Sequence, residues 1–78
     1  MQDVTREIDI TRDVCPMTFV RTRLALDKLA PGQLLLVRLK GDEPLRNVPR
    51  TVTEQGHTVV SMETDPTGIG TLLIRRGE

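Results

Sequence analysis

Residues 33–40, QLLLVRLK, are the densest apolar segment of the chain, with Pro31-Gly32 before them and Gly41-Asp42 after. A run so rich in Leu and Val, and shorter than a typical helix, reads as a strand in the middle of a sheet. What lies on either side in sequence must then supply its neighbours and its covering layer.

Upstream, residues 4–10, VTREIDI, place Val4, Ile8 and Ile10 on one side and Thr5, Glu7 and Asp9 on the other. That is the period of two of a half-buried strand. Arg6 is the exception on the inner side and points to an edge or a strand end. After a polar break at Thr11 to Asp13, Pro16 suits the first position of a helix: its missing N–H would be unpaired there, and its fixed φ is already helical. Cys15 is then the N-cap. Pro31-Gly32 should stop this helix near Lys28 or Ala30.

Thr22, Ala25, Leu26 and Leu29 follow the i, i+3, i+4, i+7 pattern of a core stripe, flanked by Phe19. Met17, Val20 and Leu24 fall on another side, among Arg21, Arg23, Asp27 and Lys28. Either the helix is buried over a wide arc, or it offers an apolar strip to a partner.

A strand, helix and strand of these lengths make a parallel pair. Further on, Asn47 offers an N-cap, with Pro49 in the first turn, Val48 and Val52 one turn apart and Gly56 as the stop, so a short second helix is expected there. Residues 41–44, GDEP, would cap or precede a helix. HTVVSMET and IGTLLIRR are β-rich runs joined by DPTG, where Asp65, Pro66 and Gly68 hold favoured places of a type I turn. The chain therefore closes on an antiparallel hairpin.

The fold class is α/β: a two-layer α/β sandwich of order βαβαββ, with a mixed four-stranded sheet and both helices on one face. The other sheet face should be largely open, leaving Leu34 and Leu36 partly exposed. Residues 1–78 make one domain whose core is thin, because a chain of this size buries only ~60% of its unfolded surface.

Eleven Lys and Arg balance eleven Asp and Glu. Nothing in that balance draws the chain to nucleic acid or an anionic membrane. Phe19 is the sole aromatic residue, which removes the stacking platforms of single-strand binders. The longest apolar run, Leu34 to Val37, is far short of a membrane span or the central segment of a secretory signal. A soluble, cytoplasmic protein is expected. An exposed Leu or two is ordinary for a monomer, the expected state.

One cysteine excludes an internal disulfide and a Cys-rich zinc site, and leaves a free thiol to explain. At an N-cap, first-turn N–H donors and the helix dipole favour thiolate, and thiols so placed reach pKa values of ~3.5 to 7.5 against ~8.5. The opposite reading is a small, inert, buried apolar residue, since burial raises a thiol pKa. His57, the only histidine, is a candidate base for the thiol or simply a residue at the start of a strand. Glu7, Asp9, Asp13, Asp42, Glu43, Glu54, Glu63 and Asp65 show no metal-ligand spacing. Gly68 to Gly70 lead into a strand, so they make no phosphate loop.

Cys15-Pro16 at the head of a helix, ALDKL at 25–29, PGQLLLVRL at 31–39, Val48-Pro49, QGHTVVSME at 55–63 and the closing IRR at 74–76 together resemble the TusA/SirA family of small sulfur-carrier proteins. The likeness covers nearly the whole chain, and the family's fold is the βαβαββ sandwich. Its signature is Cys-Pro-x-Pro, of which Cys15 and Pro16 match the first half while Thr18 replaces the second proline. The segment between Pro44 and Pro49 is also slightly shorter than in many relatives.

The resemblance implies that Cys15 takes sulfane sulfur from a cysteine desulfurase or a rhodanese-like donor, holds it as a persulfide and passes it to a downstream acceptor protein. Relatives serve tRNA thiolation, sulfur oxidation or molybdenum-cofactor pathways. The protein would act as a carrier, not a stand-alone enzyme, without cofactor or metal and without direct contact to nucleic acid or membrane. Pro16, Met17 and Thr18 would support the thiol, with Thr18 adding an amide donor that proline lacks. Val20, Arg21 and Leu24 are candidates for partner docking. The competing reading is a non-catalytic binding or regulatory module whose cysteine only caps the helix. A thiol peroxidase or reductase fits less well, as no resolving cysteine exists in the chain.

Overall fold

The computed structural model describes residues 4–13 and 17–77. Its elements are β1 (Arg6–Asp9), α1 (Met17–Asp27), β2 (Leu34–Lys40), α2 (Asp42–Glu54), β3 (Thr58–Thr64) and β4 (Ile69–Arg75). They build one four-stranded sheet in the order β1-β2-β4-β3. β1 runs parallel to β2, whereas β4 is antiparallel to both β2 and β3, so the sheet is mixed as the sequence implies.

The segment that reads as a central strand is one. Leu35, Val37 and Leu39 alternate along β2, and all three are fully buried. They form one core cluster with Ile10, with Ala25, Leu26 and Leu29 from α1 and its end, with Val48 and Val52 of α2, and with Leu72 and Ile74 of β4. Both helices thus cover the same sheet face. The opposite face carries Glu7, Leu36, Arg38, Thr71 and Leu73, each partly or fully exposed. An ion pair of 3.5 Å joins Arg38 to Glu7 across it.

Leu34 departs from the expectation for that face, being buried while Leu36 is partly exposed. Leu34 sits at the strand end opposite Arg75, with Thr5 on its other side donating its amide to the Leu34 carbonyl at 2.9 Å. β1 is shorter than residues 4–10, and Val4 is 42% exposed instead of joining Ile8 and Ile10 inside. The partner strand begins at Leu34, level with Thr5, so Val4 lies beyond the sheet with nothing to cover it. Arg6 does stand at the first residue of an edge strand.

The second helix corrects the sequence reading most. It begins at Asp42, with Gly41 as N-cap, and not at Asn47; Pro49 lies inside it. Interior proline forfeits one backbone bond and strains the preceding turn, often by ~3 kcal/mol, which is why a start after Asn47 is the local expectation. Tertiary burial outweighs this: Leu45, Val48 and Val52 recur at i, i+3 and i+7, and the early start adds Leu45 to the face that Val48 and Val52 turn to the core. Pro44 is harmless in the first turn, and Asp42 and Glu43 suit the positive helix end. The stop is at Gly56 as expected. Its amide bonds Thr53 O at 3.1 Å and the His57 amide bonds Val52 O at 3.0 Å, a Schellman closure that a φ of 92° at Gly56 permits.

The β3–β4 turn is locked by one carboxylate. Asp65 Oδ1 accepts from the Thr67 hydroxyl at 2.6 Å and from the Thr67 and Ile69 amides at 2.9 and 3.0 Å. These donors, the Thr67 hydroxyl foremost, hold the Asp65 carboxyl below its usual pKa.

Neighbouring leucines of β2 should therefore respond differently. Leu35→Ala is expected to cost about 2–5 kcal/mol by denaturant unfolding. Leu36→Ala, on the open face, should cost less than half of that.

Candidate functional site

Helix α1 presents two chemically different sides. Thr18, Thr22, Ala25 and Leu26 are its buried residues, at i, i+4, i+7 and i+8, and Leu29 just past its end is buried too. The helix ends at Asp27, slightly before the Lys28 to Ala30 range expected from sequence. A buried threonine needs a partner for its hydroxyl, and Thr22 Oγ1 donates to the Thr18 carbonyl at 2.8 Å.

The other side is not core. Met17 is 47% exposed, Val20 38% and Leu24 56%, so the apolar arc does not wrap the whole helix. Arg21 is also exposed there, and its Nη1 meets Asp13 Oδ2 at 2.6 Å. Both side chains touch solvent, so this pair contributes at most ~1 kcal/mol to stability; its effect is to tie the loop to the helix.

That loop is anchored on its β1 side as well. Asp9 Oδ1 accepts from the Thr11 amide at 2.9 Å and the Thr11 hydroxyl at 2.7 Å, and the Asp13 amide donates to Ile10 O at 3.1 Å. The Thr11 amide, followed by its hydroxyl, lowers the Asp9 pKa. Val14, Cys15 and Pro16 lie outside the described residues, and with them the N-cap place of Cys15 and the first-turn place of Pro16.

His57 stands immediately before β3, which begins at Thr58. Its Nδ1 accepts the Gly77 amide at 3.0 Å, where the chain end returns to the start of β3. Arg76 and Asp27 are the charges it senses, and Asp27 is the last residue of α1. An eleven-residue helix rises ~15 Å between its ends, so His57 belongs to the end of α1 away from Met17. Burial first, and the Arg76 guanidinium second, push its pKa below 6.5. Arg76 in turn donates from Nη1 to Leu29 O at 2.8 Å, satisfying a carbonyl just past the end of α1.

A feature absent from the sequence reading is a groove of about 200 Å³ between β1 and α1, lined by Arg6, Ile8, Arg21, Leu24, Ala25 and Lys28. Its signal was present as periodicity: residues 6 and 8 share one side of a strand, and 21, 24, 25 and 28 one side of a helix. Only the packing of α1 beside β1 joins the two sets. A second hollow of about 370 Å³, at Asp9, Thr11, Arg38, Asp65, Ile69 and Thr71, is more polar. Among the described residues no three His, Cys, Asp or Glu gather as metal ligands, and no helix is long and apolar enough to cross a membrane.

The sequence profile of the family described as Sulfurtransferase TusA matches residues 6–76. The chain belongs to the TusA family. Among its relatives is an Archaeoglobus fulgidus protein, named as a candidate sulfur carrier, that is 41% identical over 56 residues. That match spans 72% of this chain and 64% of the relative, so this TusA-family chain covers less than two thirds of it. A Thermotoga maritima protein of the same description is 35% identical over 60 residues, 77% of this chain and 76% of that one. The crystal structure of a SirA-like protein from Desulfitobacterium hafniense superposes with a TM-score of 0.82, covering 95% of this chain and all of the other at 24% identity. That last likeness concerns the TusA fold alone.

The lowered His57 pKa has a definite consequence for stability. The folded TusA-family domain binds fewer protons at His57 than the unfolded chain does, so this contribution is complete above about pH 6.5 and is lost as pH falls through the lower folded value. Asp9 and Asp65 act with the same sign, but only below their usual 3.8. His57→Asn keeps an acceptor for the Gly77 amide and removes the titration. Its unfolding free energy should vary less between pH 7 and pH 5 than that of the parent protein, as read from urea denaturation at each pH.

Proposed function

We propose that this TusA-family chain is a sulfur carrier that holds sulfane sulfur as a persulfide on Cys15 and relays it between a donor enzyme and an acceptor protein. The observation that carries the reading is the family match over residues 6–76, in a chain whose sole cysteine lies two residues ahead of α1 in sequence.

Mechanistically, the Cys15 thiolate attacks the outer sulfur of a persulfide on the donor. A new S–S bond forms at Cys15 while the donor's S–S bond breaks, and the donor cysteine leaves as thiolate. No oxidant or reductant is consumed. Delivery to the acceptor repeats the exchange with Cys15 as the leaving thiolate. A low thiol pKa assists both directions, by raising the attacking fraction at neutral pH and by making Cys15 a better leaving group.

The features around the thiol support this chemistry. Residues at the head of α1 would supply amide donors to a thiolate, and the positive helix end adds ~0.3–1 kcal/mol of preference for negative charge. Thr18 brings an N–H where the signature's second proline has none. Met17, Val20 and Leu24 offer exposed apolar area, with Arg21 beside them, for partners that must reach the thiol.

Two measurements test the proposal. Incubated with a cysteine desulfurase and cysteine, the protein should gain one sulfur atom on the Cys15 peptide by mass spectrometry, and Cys15→Ser should gain none. Leu24→Asp, if folded, should load more slowly. No adduct with either desulfurase or rhodanese-like donors would instead favour a non-catalytic binding module. Separately, Thr18→Pro should raise the thiol pKa, read from the pH dependence of alkylation; an unchanged or lower value would remove Thr18 from the mechanism.

A further inference from the structure

The groove between β1 and α1 is charged in a one-sided way. Arg6, Arg21 and Lys28 stand around it, while Ile8, Leu24 and Ala25 give it an apolar floor and wall. Among the described residues one carboxylate, Asp13, engages this set, through Arg21 alone; Arg6 and Lys28 have no ion-pair partner among them. In a chain with no net charge, this is a local excess of cations beside exposed apolar area, the kind of surface that complements an acidic and apolar one.

The placement of Arg6 strengthens the point. It lies on the helix-facing side of β1, in register with Leu35 and two residues from Ile8, where an apolar residue would extend the core. There it adds charge to the groove at some cost in burial. Leu24, the most exposed large apolar residue among those described, lies between Arg21 on α1 and Lys28 just past its end. Those two cations are ~10 Å apart along the axis, the length of about three residues of extended chain.

We infer that this groove binds an acidic segment of a partner protein, in which carboxylates meet Arg6, Arg21 and Lys28 and an apolar side chain between them packs on Leu24 and Ile8. The inference rests on the carrier reading in one respect: the partner would be a sulfur donor or acceptor, gripped along α1 while its reacting sulfur approaches the residues ahead of Met17. An extended nucleic acid strand fits the groove less well. The floor is aliphatic and offers no aromatic surface for bases.

The test uses the whole 15N-labelled protein and a synthetic pentapeptide, Glu-Glu-Leu-Glu-Glu, followed by amide chemical shifts. Saturable shifts are expected at Arg6, Ile8, Leu24 and Lys28. Binding should weaken about fivefold or more in Arg6→Glu and in Lys28→Glu, and also with added salt. Arg6→Gln and Lys28→Gln carry the same comparison if a charge reversal disturbs the spectrum of the folded protein. The proposal is overturned if the peptide produces no saturable shift at the groove, if neutralising Arg6 and Lys28 leaves its affinity unchanged, or if inorganic phosphate or a short RNA oligonucleotide binds there more tightly. The titration does not involve the thiol, so it succeeds or fails independently of persulfide formation on Cys15. Slower desulfurase loading of Lys28→Glu, with Cys15 still able to form the adduct, would join the two.

Discussion

Burial of one side of β2 is the constraint on which the structure depends. Leu35, Val37 and Leu39 have no exposed surface, and every other element is placed by its contact with that row or with its neighbours. β1 and β4 satisfy the backbone of β2 on its two edges, so the row sits at the middle of the sheet and both helices can lie over it. In a chain this small the covering layer is a single helix thick. Each helix must therefore combine a face that fills the core with a face that meets solvent or partners.

Helix α1 shows how that is done without a strongly segregated sequence. Its buried positions include Thr18 and Thr22, one of which keeps its hydroxyl bonded within the helix, while Val20 and Leu24 remain outside. Polar residues inside and apolar residues outside reverse the usual assignment. The reversal is tolerable because the buried hydroxyl is satisfied and the outward apolar residues are flanked by charge. The same helix ties down the loop ahead of it through Arg21 and Asp13, and it is closed at its far end by Arg76. Cys15 stands in sequence between these two anchored stretches.

The order of elements was legible from local chemistry. Alternation marked β1, Leu and Val density marked β2, and Pro31-Gly32, Gly56 and the Asp65 turn punctuated the chain where the structure turns. The core stripe of α1 was legible too, because Thr22, Ala25, Leu26 and Leu29 repeat at helical spacing. The beginning of α2 was not. Pro49 and Asn47 are strong local arguments for a later start, and what outweighs them is the packing of Leu45, Val48 and Val52 on the sheet. Val4 failed in the opposite sense: it keeps the strand's period but has no sheet beside it. At the candidate site, the thiol and its family signature were visible as residues, whereas the exposure of Val20 and Leu24 was open until the helix was seated.

Local sequence specifies which segments are strand or helix, where most of them stop, and that one cysteine precedes the first helix. These follow from interactions within a few residues: periodicity, fixed proline torsions, glycine at positive φ and side chains capping nearby amides. The tertiary structure decided how far α2 reaches, which side of α1 remains bare and that Arg6 shares a groove with Arg21 and Lys28. Those outcomes depend on burial and charge brought together from distant parts of the chain. No local pattern carries that information, because the energy of each contact exists only once the sheet has set its partner in place.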